Sequence, residues 1–303
     1  MGSQFYWFLD VIAAAVILIA VFVAAKKGFS KTVVMLVGCI VSVILAMSLC
    51  NSLTEFVYKS SIKNSNVQKI EKQLSETDMV QKTKKYIESL GYSVRINDER
   101  LTSILSEDGD TLDAVLHYLN NINGVVVDTP ENFKEKMASG YADMMKSMLT
   151  EAVSPYAGEI ASEKISSDID GFMEIIRAIA SHNPDDSYKA PAEMIESACT
   201  EEASKTTVKT VCFAIIAVLV ILVAAATEHR LNSGTGLTPL GSIAERGIGA
   251  IFGFIEGIII LIIISVIIRM LIIFGNSGMI LFNTETIDKT FLFRHIYNFA
   301  EML

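Results

Sequence analysis

The side chains of this sequence that could bind a metal or move a proton are four histidines, four cysteines and 34 carboxylates. Their spacing fits neither task. Glu107-Asp108-Gly109-Asp110, with Asp113, has the look of a cation loop. A calcium EF-hand closes on a bidentate Glu twelve positions in, where this chain has Tyr118. A solvated turn is expected there. His117, His182, His229 and His295 have no His or Cys partner at helical spacing, and no cysteine pair has metal-ligand spacing. Gly247 and Gly249 start a glycine pattern, but no strand precedes them, as a phosphate-binding fingerprint requires. No nucleophile elbow is present. The sequence predicts a non-enzymatic protein with no catalytic residue, metal or cofactor.

Two carboxylates stand out by their surroundings. Asp10 and Glu256 lie in apolar runs, beside Tyr6-Trp7 and between Gly253 and Gly257 respectively. An ionisable group inside a membrane is costly and faces protein or water. Asp10 is expected to act as an interfacial helix cap, with Tyr6 and Trp7 in an aromatic belt. Glu256 lies ten residues from Arg246, roughly 15 Å along a helix. It is either a structural polar contact or part of a transport path. Gly249, Gly253 and Gly257 repeat every fourth residue and form one smooth helix face that permits close backbone approach in lipid. That face serves either structural packing or a subunit contact, and Gly28 and Gly38 offer a matching surface.

These residues need membrane-spanning helices to position them. A span takes roughly 20 mostly apolar residues, and four stretches qualify: Phe5 to Ala25, Thr32 to about Leu49, Val208 to Ala226, and Ile248 to Phe274. Residues 1–9 carry no base, and Lys26-Lys27 follows the first apolar run. That order is the reverse of a cleaved secretory signal, so an uncleaved span is expected. Short cytoplasmic loops carry excess Lys and Arg. The first loop holds Lys26, Lys27 and Lys31; the loop before the fourth span holds Arg230 and Arg246, against Glu228 and Glu245. Both loops are therefore expected in the cytoplasm, with the N-terminus, the middle domain and the C-terminus outside.

Residues 51–206 contain 27 acids and 16 bases, a net charge of −11, against −9 for the whole chain. Such a surface repels nucleic acid and favours solubility. Its only cysteine is Cys199, so it forms no internal disulfide. Helical periodicity predicts one helix over 67–90, then a short strand or loop over 92–96. Further helices are expected from Asn97 or Asp98 to Ser106 and over 112–119. Thr129 followed by Pro130 is a strong helix start, with that helix ending near Val153. A helix over 158–180 follows. From Pro191 no breaker intervenes before Ala226, so one long helix is expected to become the third span, and the second span is expected to run on towards Ile62. The domains are then 1–50, the first helix pair; 51–206, the acidic helical domain; 207–275, the second pair; and 276–303, an amphipathic tail suited to the membrane surface or to packing on the domain. The fold class is an all-α membrane protein with a large helical insertion between helices two and three.

Trp7 and Asp10 on an apolar helix, then Lys27-Gly28-Phe29 and a second apolar helix, form the first half of a pattern. Gly236-Leu237, then Ala244-Glu245-Arg246-Gly247-Ile248-Gly249-Ala250-Ile251-Phe252-Gly253 and Gly257, form the second, with Ile287-Asp288-Lys289-Thr290-Phe291 in the tail. In both terminal helix pairs the chain resembles the colicin V production protein family. It departs from short members in the insertion between spans two and three. The resemblance implies an integral protein of the cell envelope with no known catalytic residue and, by the family's name, a link to production or export of a peptide toxin. The expected partners are the lipid bilayer and an envelope protein or a second copy of the chain, with no nucleic acid. The expected role is support of secretion or envelope integrity. The alternative is an oligomeric small channel or transporter with Glu256 lining the path.

Overall fold

The computed structural model describes residues 6–183, 186–234, 243–274 and 284–302. Phe5, Gly236 and Leu237 of the sequence reading lie outside them. Every regular element among the described residues is helical. The chain forms two compact units, Met1–Val57 with Thr206–Leu303, and Tyr58–Lys205.

The first unit opens with α1 (Tyr6–Lys27) and α2 (Phe29–Val57). Gly28 joins them at φ +80°, a left-handed conformation that suits glycine because it has no Cβ. Its carbonyl then accepts the Thr32 hydroxyl at 2.9 Å. The second apolar helix runs past its hydrophobic stretch to Val57 and leads into a π-helical turn, Tyr58–Ile62.

The second unit continues with α3 (Lys63–Glu76), α4 (Met79–Ser89), α5 (Asp98–Ser106) and α6 (Thr111–Asn123). It is completed by α7 (Pro130–Ala152), α8 (Pro155–Ser167), α9 (Ile169–Ala180), α10 (Lys189–Ile195) and a second π-helical turn, Glu196–Thr200. Short polar side chains set its helix starts. Asp78, Asn97, Asp110, Thr129, Ser154 and Asp168 each accept the backbone N–H three residues on, satisfying a donor that the first helical turn leaves open. Gly124, at φ +71°, ends α6.

Two of these caps correct the sequence expectation. The helix expected over 67–90 breaks at Thr77-Asp78, and the one expected over 158–180 breaks at Asp168. In both places the apolar stripe continues across the break, so periodicity alone conceals it. The Asp carboxylate competes for backbone N–H groups and starts a new helix. Residues 92–96 form a loop, and no strand occurs among the described residues. The unit closes around one core in which Tyr141, Leu101, Leu119, Leu149 and Ile70 are fully buried.

The chain returns to the first unit through α11 (Glu201–Gly234), followed by α12 (Ile243–Phe274), α13 (Thr284–Asp288) and α14 (Phe293–Met302). The helical run expected from Pro191 is present, with the π-helical turn inside it. Among the described residues, four helices are long and apolar enough to cross a membrane, the architecture of a multi-pass membrane protein. Among them α12 is the most enclosed: 44% of its apolar window is buried, against 17% for α1. It packs against α1, α2 and α14.

Candidate functional site

The glycine face of α12 meets α1. A Cβ added at Gly253 would lie 2.5 Å from Ala24 Cβ, 2.7 Å from the Ala20 carbonyl oxygen and 3.0 Å from Val21 Cα. At Gly249 it would meet the Ala24 carbonyl oxygen at 2.7 Å, and at Gly257 the Ile17 Cα at 3.1 Å. The backbones therefore touch through Gly, Ala and β-branched residues, with no room for larger side chains along this seam. Gly28 lies at its end, its carbonyl carbon 3.4 Å from the Cβ position of Gly249. Gly38 belongs to a different contact, against Ala224 of α11. Gly247 has nothing within 4 Å.

Asp10 has a long-range task. Its carboxylate accepts the backbone N–H groups of Phe291 at 2.7 Å and of Leu292 and Phe293 at 2.9 Å. Thr290 accepts the N–H of Arg294 at 2.8 Å and donates its own hydroxyl to the Ile287 carbonyl at 2.7 Å. Together they satisfy four successive backbone donors where α14 begins, and the carboxylate lies where the helix dipole favours negative charge. Asp10 thus caps the tail helix, where the sequence suggested a cap at the membrane edge. The apolar side of α14 explains why the tail stays there. Phe293 and Tyr297 pack with Leu9, Ala13, Leu261 and Ile268. Ala300 packs with Cys50, Phe213 and Ile263.

Glu256 is half-buried on α12, within electrostatic reach of Cys39 on α2. Lys26, Lys27 and Arg246 are exposed. Trp7 and Phe8 pack edge to face, with ring centroids 6.3 Å apart, and both are exposed.

In the second unit the acidic turn at 107–110 is held from within the protein. Arg177 donates to the carbonyls of Glu107 and Gly109, each at 3.0 Å. No group of three metal-ligating side chains occurs among the described residues. The two π-helical turns, a geometry that concentrates at functional sites, bring Tyr58 and Glu196 together. The Tyr58 hydroxyl donates to Glu196 Oε1 at 2.5 Å, and both side chains are buried. Glu196 Oε2 accepts no hydrogen bond among the described residues. Burial, the largest influence, raises the Glu196 pKa. Asn66 on α3 donates to Ser204 on α11 at 2.9 Å. Sequence reading missed this pair because its members are 138 residues apart.

The same unit carries an apolar tip. Val125 and Val126 are 63% and 76% exposed, on a loop that is nevertheless tied down. Asn120 Oδ1 accepts the Val127 N–H at 2.8 Å, and Asp128 binds Lys136 at 2.8 Å and accepts the Tyr92 hydroxyl at 2.5 Å. These donors hold the Asp128 carboxyl well below the usual range.

Residues 186–301 match the sequence model of the family described as Colicin V production protein. The match takes in α11, α12, the tail and the segment leading into α11. It does not reach α1 or α2, so the resemblance read over both terminal pairs narrows to the C-terminal pair. The first pair has little beyond Trp7, Asp10 and Lys27-Gly28-Phe29 to distinguish it from any apolar hairpin. No curated protein and no solved structure matches the chain.

Proposed function

We propose that the chain, whose residues 186–301 match the colicin V production protein family, is a non-enzymatic, multi-pass envelope protein that supports secretion or envelope integrity by binding a protein partner through its acidic helical unit. The observation that carries this reading is the tip at Val125 and Val126. Two valines facing solvent on a loop fixed by Asn120 and Asp128 form a pre-ordered contact point, so little ordering entropy is lost on binding. The surrounding net charge of −11 over residues 51–206 selects a partner with a basic rim. The excess of Lys and Arg in the short loops supports a location of this unit outside the cytoplasm.

Deleting residues 65–190 from the chromosomal copy tests the reading directly. The expected phenotype equals that of deleting the whole gene, and an unchanged cell would refute the proposal. Val125→Asp with Val126→Asp is expected to reduce in-cell crosslinking of the unit to its partner by tenfold or more (about 1.4 kcal/mol or more), with the protein still folded. Orientation is read at Ser187, which is exposed, because Cys199 is buried and would label poorly wherever the unit lies. With Cys199 replaced by Ser, Ser187→Cys should react with an impermeant maleimide in intact cells. Reaction only after permeabilisation would place the unit in the cytoplasm.

A further inference from the structure

The tail helix α14 begins at one span and ends at another. The backbone N–H groups at its start are held by Asp10 on α1, and Ala300, near its end, lines a small cavity with Thr206 and Phe213 of α11. Between these points it packs on α12. Both attachments lie near the end of an apolar run. The 22 residues of α1 measure about 33 Å, close to the roughly 30 Å of a hydrocarbon core, so Tyr6 and Lys27 mark the two boundaries. Asp10 is one turn in from Tyr6, and Phe213 is just over one turn into the apolar run that starts at Val208. The other residues clustered with α14 come from the same end of the spans: Leu9 from the start of α1, Cys50 from the end of the second apolar run and Ile268 from late in α12. A helix fixed at similar depth to two spans lies across them, along the boundary and not through it.

Helical period divides α14 into three sides. Phe293, Tyr297 and Ala300 are buried against the spans. Leu292, which immediately precedes the helix, and Phe299 are seven residues apart and share one flank, about 110° from the buried side. Arg294 and Asn298 share the other flank, about 110° the opposite way. Phe299 is 48% exposed, and Leu292 and Asn298 are exposed as well. An apolar flank opposite a polar one suits a helix lying in the plane of the interface, one side towards acyl chains and the other towards water. Phe291, 81% exposed, is held at the same level by its bond to Asp10, near which Tyr6, Trp7, Phe8 and Val11 are also exposed on α1. Aromatic side chains gather at membrane boundaries, and this flank continues the apolar surface of α1, which commits it to lipid. We infer that α14 is an interfacial helix bound to the bilayer, with Leu292 and Phe299 among the upper acyl chains, Arg294 and Asn298 towards water, and Phe291 completing an aromatic collar with Trp7.

Trp7 is the sole tryptophan, so Trp7→Phe gives a dark background for single fluorescent reporters. Full-length protein carrying Phe299→Trp or Asn298→Trp in that background is reconstituted into phosphatidylcholine vesicles. The acyl chains are brominated either near the headgroup or near the chain end, and fluorescence quenching is read. At Phe299→Trp the shallow bromines should quench about twofold more strongly than the deep ones, as for an apolar side buried about 5–10 Å. At Asn298→Trp the shallow bromines should quench about twofold less than at Phe299→Trp, with aqueous iodide the better quencher. Wild-type Trp7 should follow Phe299→Trp. Four results would overturn the inference. Equal or stronger quenching of Phe299→Trp by deep bromines would place the helix in the hydrocarbon interior. Quenching by iodide without quenching by bromines would put the flank in water. Protection from both quenchers would put protein, such as a second copy of the chain, against it. Equal quenching of the two variants by shallow bromines would remove the two-sided orientation. Should Phe299→Trp fail to fold, Phe291→Trp decides by the same criteria.

Discussion

The two units hold their helices together by opposite means. In the unit formed by residues 58–205, large side chains interdigitate: Tyr141 packs on Phe172 with ring centroids 5.7 Å apart, among buried Leu, Ile and Met. In the unit that contains the apolar helices, α12 offers no side chain at the seam with α1: Gly249, Gly253 and Gly257 let it rest on the backbone of Ile17, Ala20, Val21 and Ala24. The difference follows from the solvent. In water, burying apolar area drives folding, so large residues stabilise most. In lipid, the tails are as apolar as leucine, and association depends on close van der Waals approach and on internal polar contacts.

Substitution at equivalent depth should break this contrast most visibly in the aqueous unit. Tyr141→Ala removes a fully buried ring and the partner of Thr83. It should cost about 3–5 kcal/mol, seen as faster hydrogen exchange through residues 58–205 while the amides of α12 keep their protection. In the membrane unit the damaging change is addition. Gly253→Val should cost roughly 1–3 kcal/mol by overpacking, lowering the Tm of that unit in detergent. Gly247→Ala, at an open position, should be neutral or stabilise by up to about 1 kcal/mol. Equal effects at Gly253 and Gly247 would remove the seam from the account.

The polar contacts sharpen the contrast further. Asp10→Ala leaves three backbone donors at the start of α14 without their acceptor, at a cost of about 1–2 kcal/mol, and the tail amides from Phe291 onwards should exchange faster before any other segment does. The smallest effect concerns pH. Glu196 lies well before the third span, and burial raises its folded pKa. Its favourable contribution is full below the unfolded carboxyl value and is lost as pH rises through the raised folded value. Asp128 has the opposite sign, since its folded pKa is depressed and its contribution disappears as pH falls. Glu196→Gln should therefore flatten the alkaline side of the stability profile of residues 58–205, and Asp128→Asn the acidic side. A Glu196→Gln profile that superimposes on wild type would show that the carboxyl does not titrate in this range.

The sequence by itself determined whatever depends on neighbours along the chain. Twenty-residue apolar runs marked the four membrane-crossing helices, Thr129-Pro130 marked the start of α7, and the lack of a breaker after Pro191 marked the continuous run into α11. Gly249, Gly253 and Gly257 were legible as a face because helical period alone aligns them. Only the tertiary structure decided what each face meets. It placed α1 against those glycines, Ala224 against Gly38, Tyr58 beside Glu196, and the backbone of Phe291 on the carboxylate of Asp10. It also decided where apolar stripes break, at Asp78 and Asp168. Periodicity is a local property of the backbone. A partner hundreds of residues away is chosen by packing, and a short polar side chain caps a helix only where the fold leaves a backbone donor open to it.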